Sequence, residues 1–330
     1  QASGPACGSS MWVRIGATHD GQITAADATL KFQAGAFPGS PVPAAAQCCF
    51  APYDLEHVRS VGYDVLVNRP KVAAYRAPGA PLGEYAVESV IDELAKKLDL
   101  DPIEFRLMNA AREGTDSSYG PKFGPIGCVA TLEAARDHDH YQTALETGQG
   151  RGVATGYWFN IGGQTSATLN LSEDGSVALV VGTPDIGGSR ASLSMMAAEA
   201  LGIDLDKVRP MIGDTSALGY NMLTGGSRVT FAGGIAIVGA AEDLINQLRE
   251  RAALTWDIPI DDVEWDDGEA RPANGHADKE APLSIAEIAK DMAKSGGPIV
   301  GRHSTNAQGA GPSFGAHVVD VDVDLSLIHI

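Results

Sequence analysis

Two short turns in this sequence each combine a glycine pair, a hydroxyl and a guanidinium: Gly187-Gly188-Ser189-Arg190 and Gly225-Gly226-Ser227-Arg228. Each stands directly before a helical pattern and so offers backbone N–H groups with no helical acceptor, which suits a phosphate or a polar heterocycle. Glycine there would equally serve a close helix–strand packing that needs the space. Spacing alone leaves both readings open. A third segment, Tyr75-Arg76-Ala77-Pro78-Gly79-Ala80-Pro81, is a rigid Gly/Pro loop that holds one arginine just before a helix. Loops of this kind often carry function, although the same loop would also make a domain corner.

Other chemistries lack their motifs. There is no P-loop, no G-x-G-x-x-G after a strand and no G-x-S-x-G elbow. His138-Asp139-His140 comes nearest to a metal pair, but its polar surroundings read as a solvated surface. The four cysteines, Cys7, Cys48, Cys49 and Cys128, form no C-x-x-C pair, which excludes a zinc ribbon or an iron–sulfur cluster of the usual spacing. They read as buried thiols, with the cytoplasm as the default compartment.

The chain has 330 residues, 44% of them hydrophobic, enough for two domains of roughly 150 residues each. Its net charge of −18 argues against nucleic acid, which needs a basic face. No unbroken apolar run approaches the ~18 residues of a membrane span, and Gln1–Ser10 lacks the basic start and apolar stretch of a signal peptide. The first methionine is Met11, so the sequence reads as a piece of something longer.

Hydrophobic periodicity supplies the elements that must position the turns. Trp12–Gly16 and Ile23–Phe32 flank His19-Asp20-Gly21-Gln22 as an antiparallel hairpin, and Asp64–Val67 is a further strand. A helix over 81–98 carries Val87, Val90, Ile91, Leu94 and Leu98 on its apolar face, with Glu84, Glu88, Asp92 and Lys96 elsewhere around the wheel. Asp101-Pro102-Ile103-Glu104 opens the next helix, with Asp as cap and Pro at the first position. Another starts within 126–135. The polar stretch 136–150 marks the domain boundary, giving domains 1–147 and 148–330. In the second, strand, glycine loop and helix follow one another twice: 177–181 before the helix opened by Gly187–Ser189, and 208–213 before the helix over 231–251. A turn-rich acidic excursion covers 256–282, and Ser284 caps a short helix with Glu287 three residues on. His317–Asp324 alternates strictly, as a half-exposed strand does, and has no strand downstream to pair with.

Six of these segments, in this order, resemble the large, molybdenum-binding subunit of the xanthine dehydrogenase / aldehyde oxidase family. They are 20–26 (Asp-Gly-Gln-Ile-Thr-Ala-Ala), 74–81 before Glu88-Ser89, 101–109 (Asp-Pro-Ile-Glu-Phe-Arg-Leu-Met-Asn), 182–188 (Gly-Thr-Pro-Asp-Ile-Gly-Gly), 225–228 and 315–324. The resemblance covers essentially the whole chain. It implies an α+β fold of two elongated, mixed sheet-and-helix domains with a molybdopterin site between them, each domain partial at its outer end. It also implies hydroxylation of an electrophilic carbon, in an aldehyde or N-heterocycle, with oxygen derived from water. The cofactor would be molybdopterin cytosine dinucleotide carrying molybdenum, held without protein ligands to the metal. Electrons would leave through an iron–sulfur subunit and an FAD subunit.

By position, the resemblance places Arg76 beside the molybdenum and sets Gly225 and Gly226 where small residues let the backbone approach it. Gly187, Gly188, Ser189 and Ser227 would contact the pterin or pyrophosphate. Departures are specific. Ala77 stands where carbon monoxide dehydrogenases place a copper-binding cysteine, and Pro78 where purine oxidases place a stacking phenylalanine. Ala44–Ala46 lack those oxidases' second arginine, and Gly188 replaces a common glutamine. No acid within 1–330 aligns with the catalytic glutamate, and Leu325–Ile330 depart from the family's usual continuation. The alternative is a non-catalytic subunit that binds cofactor or assembles with the partners; a glycine-rich carbohydrate or phosphate binder would explain the loops but not their order.

Overall fold

The computed structural model describes residues 4–324, 326 and 327; the expected departure at 325–330 and His329 lie largely outside them. The chain divides into two compact units, 1–159 with 311–330, and 160–310. These bounds differ from a cut at 147/148. The polar stretch that suggested the cut forms surface turns and a one-turn helix of the first unit, and the chain leaves that unit only after Phe159.

In the first unit, β1 (Ser9–Ala17) and β2 (Ile23–Gly35) make the expected hairpin, Trp12 facing Thr29. An unforeseen helix, α1 (Val42–Cys48), carries the chain across to β3 (Val58–Leu66), which lies parallel to β2; a parallel neighbour requires such a crossover. Next comes α2 (Ala80–Lys97), whose Val87, Ile91 and Ala95 are buried with Leu30 and Phe32 of the sheet. α3 (Pro102–Met108) starts where expected, the Asp101 carboxylate accepting from the Ile103 and Glu104 N–H groups. α4 (Cys128–Arg136), the short α5 (Asp139–Gln142) and β4 (Gln149–Trp158) follow.

The second unit opens with β5 (Gly163–Leu171) and β6 (Val177–Val181), an antiparallel pair, then α6 (Ser189–Leu201) and β7 (Val208–Ile212) parallel to β6. A π-helical turn, Val229–Gly233, runs into α7 (Gly234–Trp256). A small sheet of β8 (Val263–Asp266), β9 (Glu269–Pro272) and β10 (Leu283–Ser284) precedes α8 (Ile285–Lys290), which has the expected Ser284–Glu287 capping box. After α9 (Met292–Ser295), β11 (Val300–Ala307) completes a sheet of order β11-β5-β6-β7. Leu193, Ala197 and Leu201 of α6 and Ile237, Leu244 and Leu248 of α7 are buried with Leu169 and Leu179 of this sheet. The stretch Val229–Trp256 is long and apolar enough to cross a membrane by length and composition. Here one face of it, with Ile237, Ala241, Leu244 and Leu248, is buried in that core, while Ile235, Val238 and Leu254 are exposed. The last strand, β12 (Ser313–Asp322), belongs to the first unit and pairs antiparallel with β4, so its partner lies upstream.

The acids that lie elsewhere around the α2 wheel turn toward β4. Glu84, Glu88 and Asp92 accept, in order, from the Tyr157, Thr155 and Val153 N–H groups at 2.9, 2.7 and 3.2 Å. These are the amides on the edge of β4 away from β12, so three carboxylates close an edge strand that would otherwise stand open. Arg106 holds them. Its guanidinium donates to Glu88 and Asp92, both at 2.9 Å, and to the carbonyls of Pro102 and Val153. The Tyr53 hydroxyl also donates to Glu88, and burial together with that carboxylate raises its pKa well above the usual phenol value.

Arg106 is fully buried and Glu88 is 4% exposed, so Arg106→Met leaves buried acid without its cation. Breaking a buried pair in this way costs about 3–5 kcal/mol, expected as a drop of about 10 °C or more in thermal denaturation. Glu84 gives a pH signature. Burial pushes its carboxyl up to about 7, against the Tyr157 N–H and with the Glu88 charge. The folded value thus lies above the ordinary 4.5, so the protonated acid favours the fold. That stability is complete below pH 4.5 and is lost as pH rises through about 7. Glu84→Gln, which keeps an acceptor for Tyr157, is expected to flatten the fall in melting temperature across this window; an unchanged profile would refute the assignment.

Candidate cofactor site

Arg76 lies in the first unit, exposed, at the bend before α2. Its loop is tightly held. Gly79 has φ 90°, and a Cβ there would stand 2.2 Å from the Pro41 carbonyl oxygen, so only glycine fits. Ala77 takes φ 47°, a left-handed conformation that costs an alanine about 1–2 kcal/mol. Strain of this kind concentrates at binding and catalytic loops. Ala77 also packs against the buried cluster that includes Ala80 and Tyr157. Among the described residues the Arg76 guanidinium has no hydrogen-bond or ion-pair partner, which leaves it available to an anionic group.

The two glycine turns lie in the second unit, and the topology sends both of their loops off the same end of one sheet. β6 and β7 are parallel neighbours, so the loops that follow them, 182–188 and 213–228, leave the same end of the sheet. In open α/β sheets ligands collect at the carboxyl ends of parallel strands. Asn221 of the second loop approaches the first: its side-chain nitrogen would lie 2.8 Å from a Cβ on Gly182.

The turns differ in why they need glycine. Gly187 and Gly188 have φ 58° and 84°, and no atom lies within 4 Å of where their Cβ atoms would be. Close packing therefore does not explain this pair, and among the described residues neither N–H has an acceptor. Ser189 is different. Its hydroxyl accepts from the Ile186 N–H at 3.0 Å and its own N–H donates to the Ile186 carbonyl, so both groups are spent shaping the turn. At the second turn packing does apply: a Cβ on Gly226, at φ 73°, would meet Ile161 at 2.5 Å, and one on Gly225 would meet Leu223 at 2.7 Å. Ser227 is exposed with φ 59°, a second strained position that is not glycine.

The guanidinium of this turn corrects the sequence reading. Arg228 is 1% exposed, and its donors go to the Gly162, Gln164, Met222 and Leu223 carbonyls and the Thr165 hydroxyl. It has no proton left for a ligand. The α2 acids were also missed, although their spacing at every fourth residue was visible. Among the described residues no three His, Cys, Asp or Glu side chains converge as metal ligands. The His140 ring instead lies 3.3 Å from Asp320, and the His140 backbone N–H donates to His138 Nδ1. All four cysteines are free and buried, as expected; burial pushes Cys49 up to about 11 and Cys128 to about 12.

Comparison with known proteins decides the family. Residues 129–330 match one molybdopterin cofactor-binding domain and residues 1–110 match another. The chain belongs to the molybdopterin cofactor-binding family of xanthine dehydrogenase and aldehyde oxidase subunits. It is 32% identical over 220 residues to the aldehyde oxidoreductase molybdenum-binding subunit PaoC of Escherichia coli K12, covering 62% of this chain and 29% of that one. Over 286 residues it is 28% identical to the putative xanthine dehydrogenase molybdenum-binding subunit XdhA of the same organism, covering 80% and 37%. The solved aldehyde oxidoreductase of Desulfovibrio desulfuricans superposes with a TM-score of 0.75 at 25% identity, covering 98% of this chain and 35% of that one. The chain thus spans less than half of each of these proteins. The mixed α+β fold agrees with the family.

The left-handed alanine beside Arg76 is testable. Ala77→Val adds a β-branched side chain where φ is positive and is expected to lose about 1–2 kcal/mol, read as a lower urea midpoint. Ala77→Gly relieves the same strain and should not lower the midpoint. A loss with glycine as large as with valine would rule out the strained loop.

Proposed function

We propose that this chain is part of the catalytic subunit of a molybdenum hydroxylase that oxidises an aldehyde or N-heterocycle. The cofactor is molybdopterin cytosine dinucleotide, and electrons pass to an iron–sulfur subunit and an FAD subunit in the cytoplasm, where free thiols stay reduced. One observation carries the reading: two glycine loops leave the same end of a parallel strand pair, and at Gly187 and Gly188 unpaired amides meet open space.

The residues fit the group. A pyrophosphate is bound well by backbone N–H donors that no side chain screens, and Gly187, Gly188 and the 225–227 turn supply them. The glycines at 225 and 226 let the second turn pack closely on Ile161 and Leu223, which holds its backbone in place. Arg76 contributes a permanent positive charge on a stiff loop, suited to holding an oxygen anion in place. When bound, the group would supply the two-electron oxidation and the delivery of water-derived oxygen. The protein residues bind it, orient it and keep the charge in register. Ala77 and Pro78 leave the loop without copper-binding or stacking side chains, which favours aldehydes or small heterocycles over carbon monoxide or xanthine.

A second reading, a non-catalytic cofactor-binding or assembly subunit, rests on Gly188, where the family glutamine would add a side-chain contact. Assays on the full-length protein separate the two. Stoichiometric molybdenum and cytidine with turnover on aldehydes or azaheterocycles supports the hydroxylase; stoichiometric metal without turnover over a broad panel supports the second reading. Absence of molybdenum from properly matured protein would defeat the hydroxylase reading and leave only the assembly role. Within the hydroxylase, Arg76→Ala is expected to lower kcat about a hundredfold while the melting temperature stays put, since an exposed side chain without partners costs little to remove. Equal loss of turnover and stability would contradict its role.

A further inference from the structure

Arg228 is the most thoroughly used side chain of the second unit. A guanidinium has five N–H donors in one rigid plane, and here all five have acceptors. Nε donates to the Gly162 carbonyl at 2.7 Å, Nη1 to those of Met222 and Leu223 at 3.1 and 3.5 Å, and Nη2 to that of Gln164 at 2.7 Å and to the Thr165 hydroxyl. Among the described residues no carboxylate lies within ion-pair distance, and burial lowers its pKa. A buried cation is thus held by neutral carbonyl and hydroxyl dipoles. That is a costly arrangement, and it needs a reason.

The reason lies in the peptide plane. In a trans peptide the C=O and the following N–H point in opposite directions. By drawing the Met222 and Leu223 carbonyls toward itself, Arg228 turns the N–H groups of Leu223 and Thr224 away. The Gly226 carbonyl is drawn inward in the same sense by the Ile161 N–H at 2.9 Å, which turns the Ser227 N–H outward. Among the described residues none of these three amides has an acceptor. Ser227 at positive φ is followed by Arg228 at φ −98°, ψ −18°, so the backbone changes hand where the loop runs into the π-helical turn.

We infer that Arg228 is a positioning residue that fixes the peptide planes of this loop, so that the Leu223, Thr224 and Ser227 N–H groups, and not the guanidinium, meet the anionic part of the cofactor. The inference rests on the cofactor reading above for the identity of the anion, but not for the clamp. Lysine keeps the charge yet has three donors on a tetrahedral nitrogen, and it does not span five acceptors in one plane.

The test is amide hydrogen exchange on the full-length protein made without cofactor, with pyrophosphate as probe. In the natural protein, pyrophosphate slows exchange at Leu223, Thr224 and Ser227. In Arg228→Lys, the core amides of β5, β6 and α7 stay protected, the Ile161 and Met222 amides that tie the loop down lose protection, and pyrophosphate binds about tenfold more weakly, the loss of one charge-assisted hydrogen bond. Unchanged protection of Ile161 and Met222, or unchanged affinity, overturns the inference, since charge alone would then suffice. If Arg228→Lys does not fold, Thr165→Val removes a single acceptor, and unchanged exchange at the same two amides overturns the clamp equally. A natural protein blind to pyrophosphate, with a loop that still loosens in Arg228→Lys, overturns the cofactor reading and the donor assignment while the clamp stands.

Discussion

The first unit depends on how one edge strand is closed. β4 pairs with β12 on one side only, and its other edge presents amides that must find acceptors. A third strand would have supplied carbonyls; α2 supplies carboxylates. Carboxylates are stronger acceptors, but three of them on one helix face repel one another and resist burial. Arg106 resolves that conflict by lying against Glu88 and Asp92 while also donating to the β4 backbone at Val153. Everything further along follows from it. The pose of α2 is fixed by the acids, the start of α2 by Gly79 against Pro41, and the Arg76 loop by that start.

The two buried arginines answer opposite demands with the same side chain. Arg106 neutralises acids, and its own pKa is raised: burial opposes the charge, but Tyr53, Glu88 and Asp92 outweigh it. Arg228 has only carbonyl and hydroxyl acceptors, and burial prevails. In the first unit the gain is charge balance beneath a helix. In the second it is the direction of peptide planes, a property that contributes nothing to packing.

Much of this was legible in the sequence. The β1–β2 hairpin announced itself by turn chemistry, α3 by Asp101 and Pro102, and α8 by its capping box, because each signal acts within four residues. What escaped was set at long range. β4 reads Gln-Gly-Arg-Gly-Val-Ala-Thr-Gly-Tyr-Trp, too rich in glycine to declare itself; its partner is 173 positions away, as the Gln149–Asp322 bond shows. α1, Val-Pro-Ala-Ala-Ala-Gln-Cys, is short and small-sided, with no apolar stripe to count. In the site, the residue types were visible and their directions were not. Arg228 looked like a ligand because its acceptors at 162–165 lie more than sixty positions upstream.

The carboxylate row on α2 works like a vernier. Four residues of helix advance about 6.0 Å and two residues of strand about 6.7 Å, so acid and amide coincide at one mark and slip on either side of it. The central contact, Glu88 to Thr155, is the shortest at 2.7 Å, and those flanking it open to 2.9 and 3.2 Å. Two steps accumulate a mismatch of about 1.4 Å, roughly what a hydrogen bond can absorb across its length and angle. A fourth mark would fall outside that tolerance, and the residue standing there is Lys96, which could accept nothing. Three rungs are as many as this helix carries.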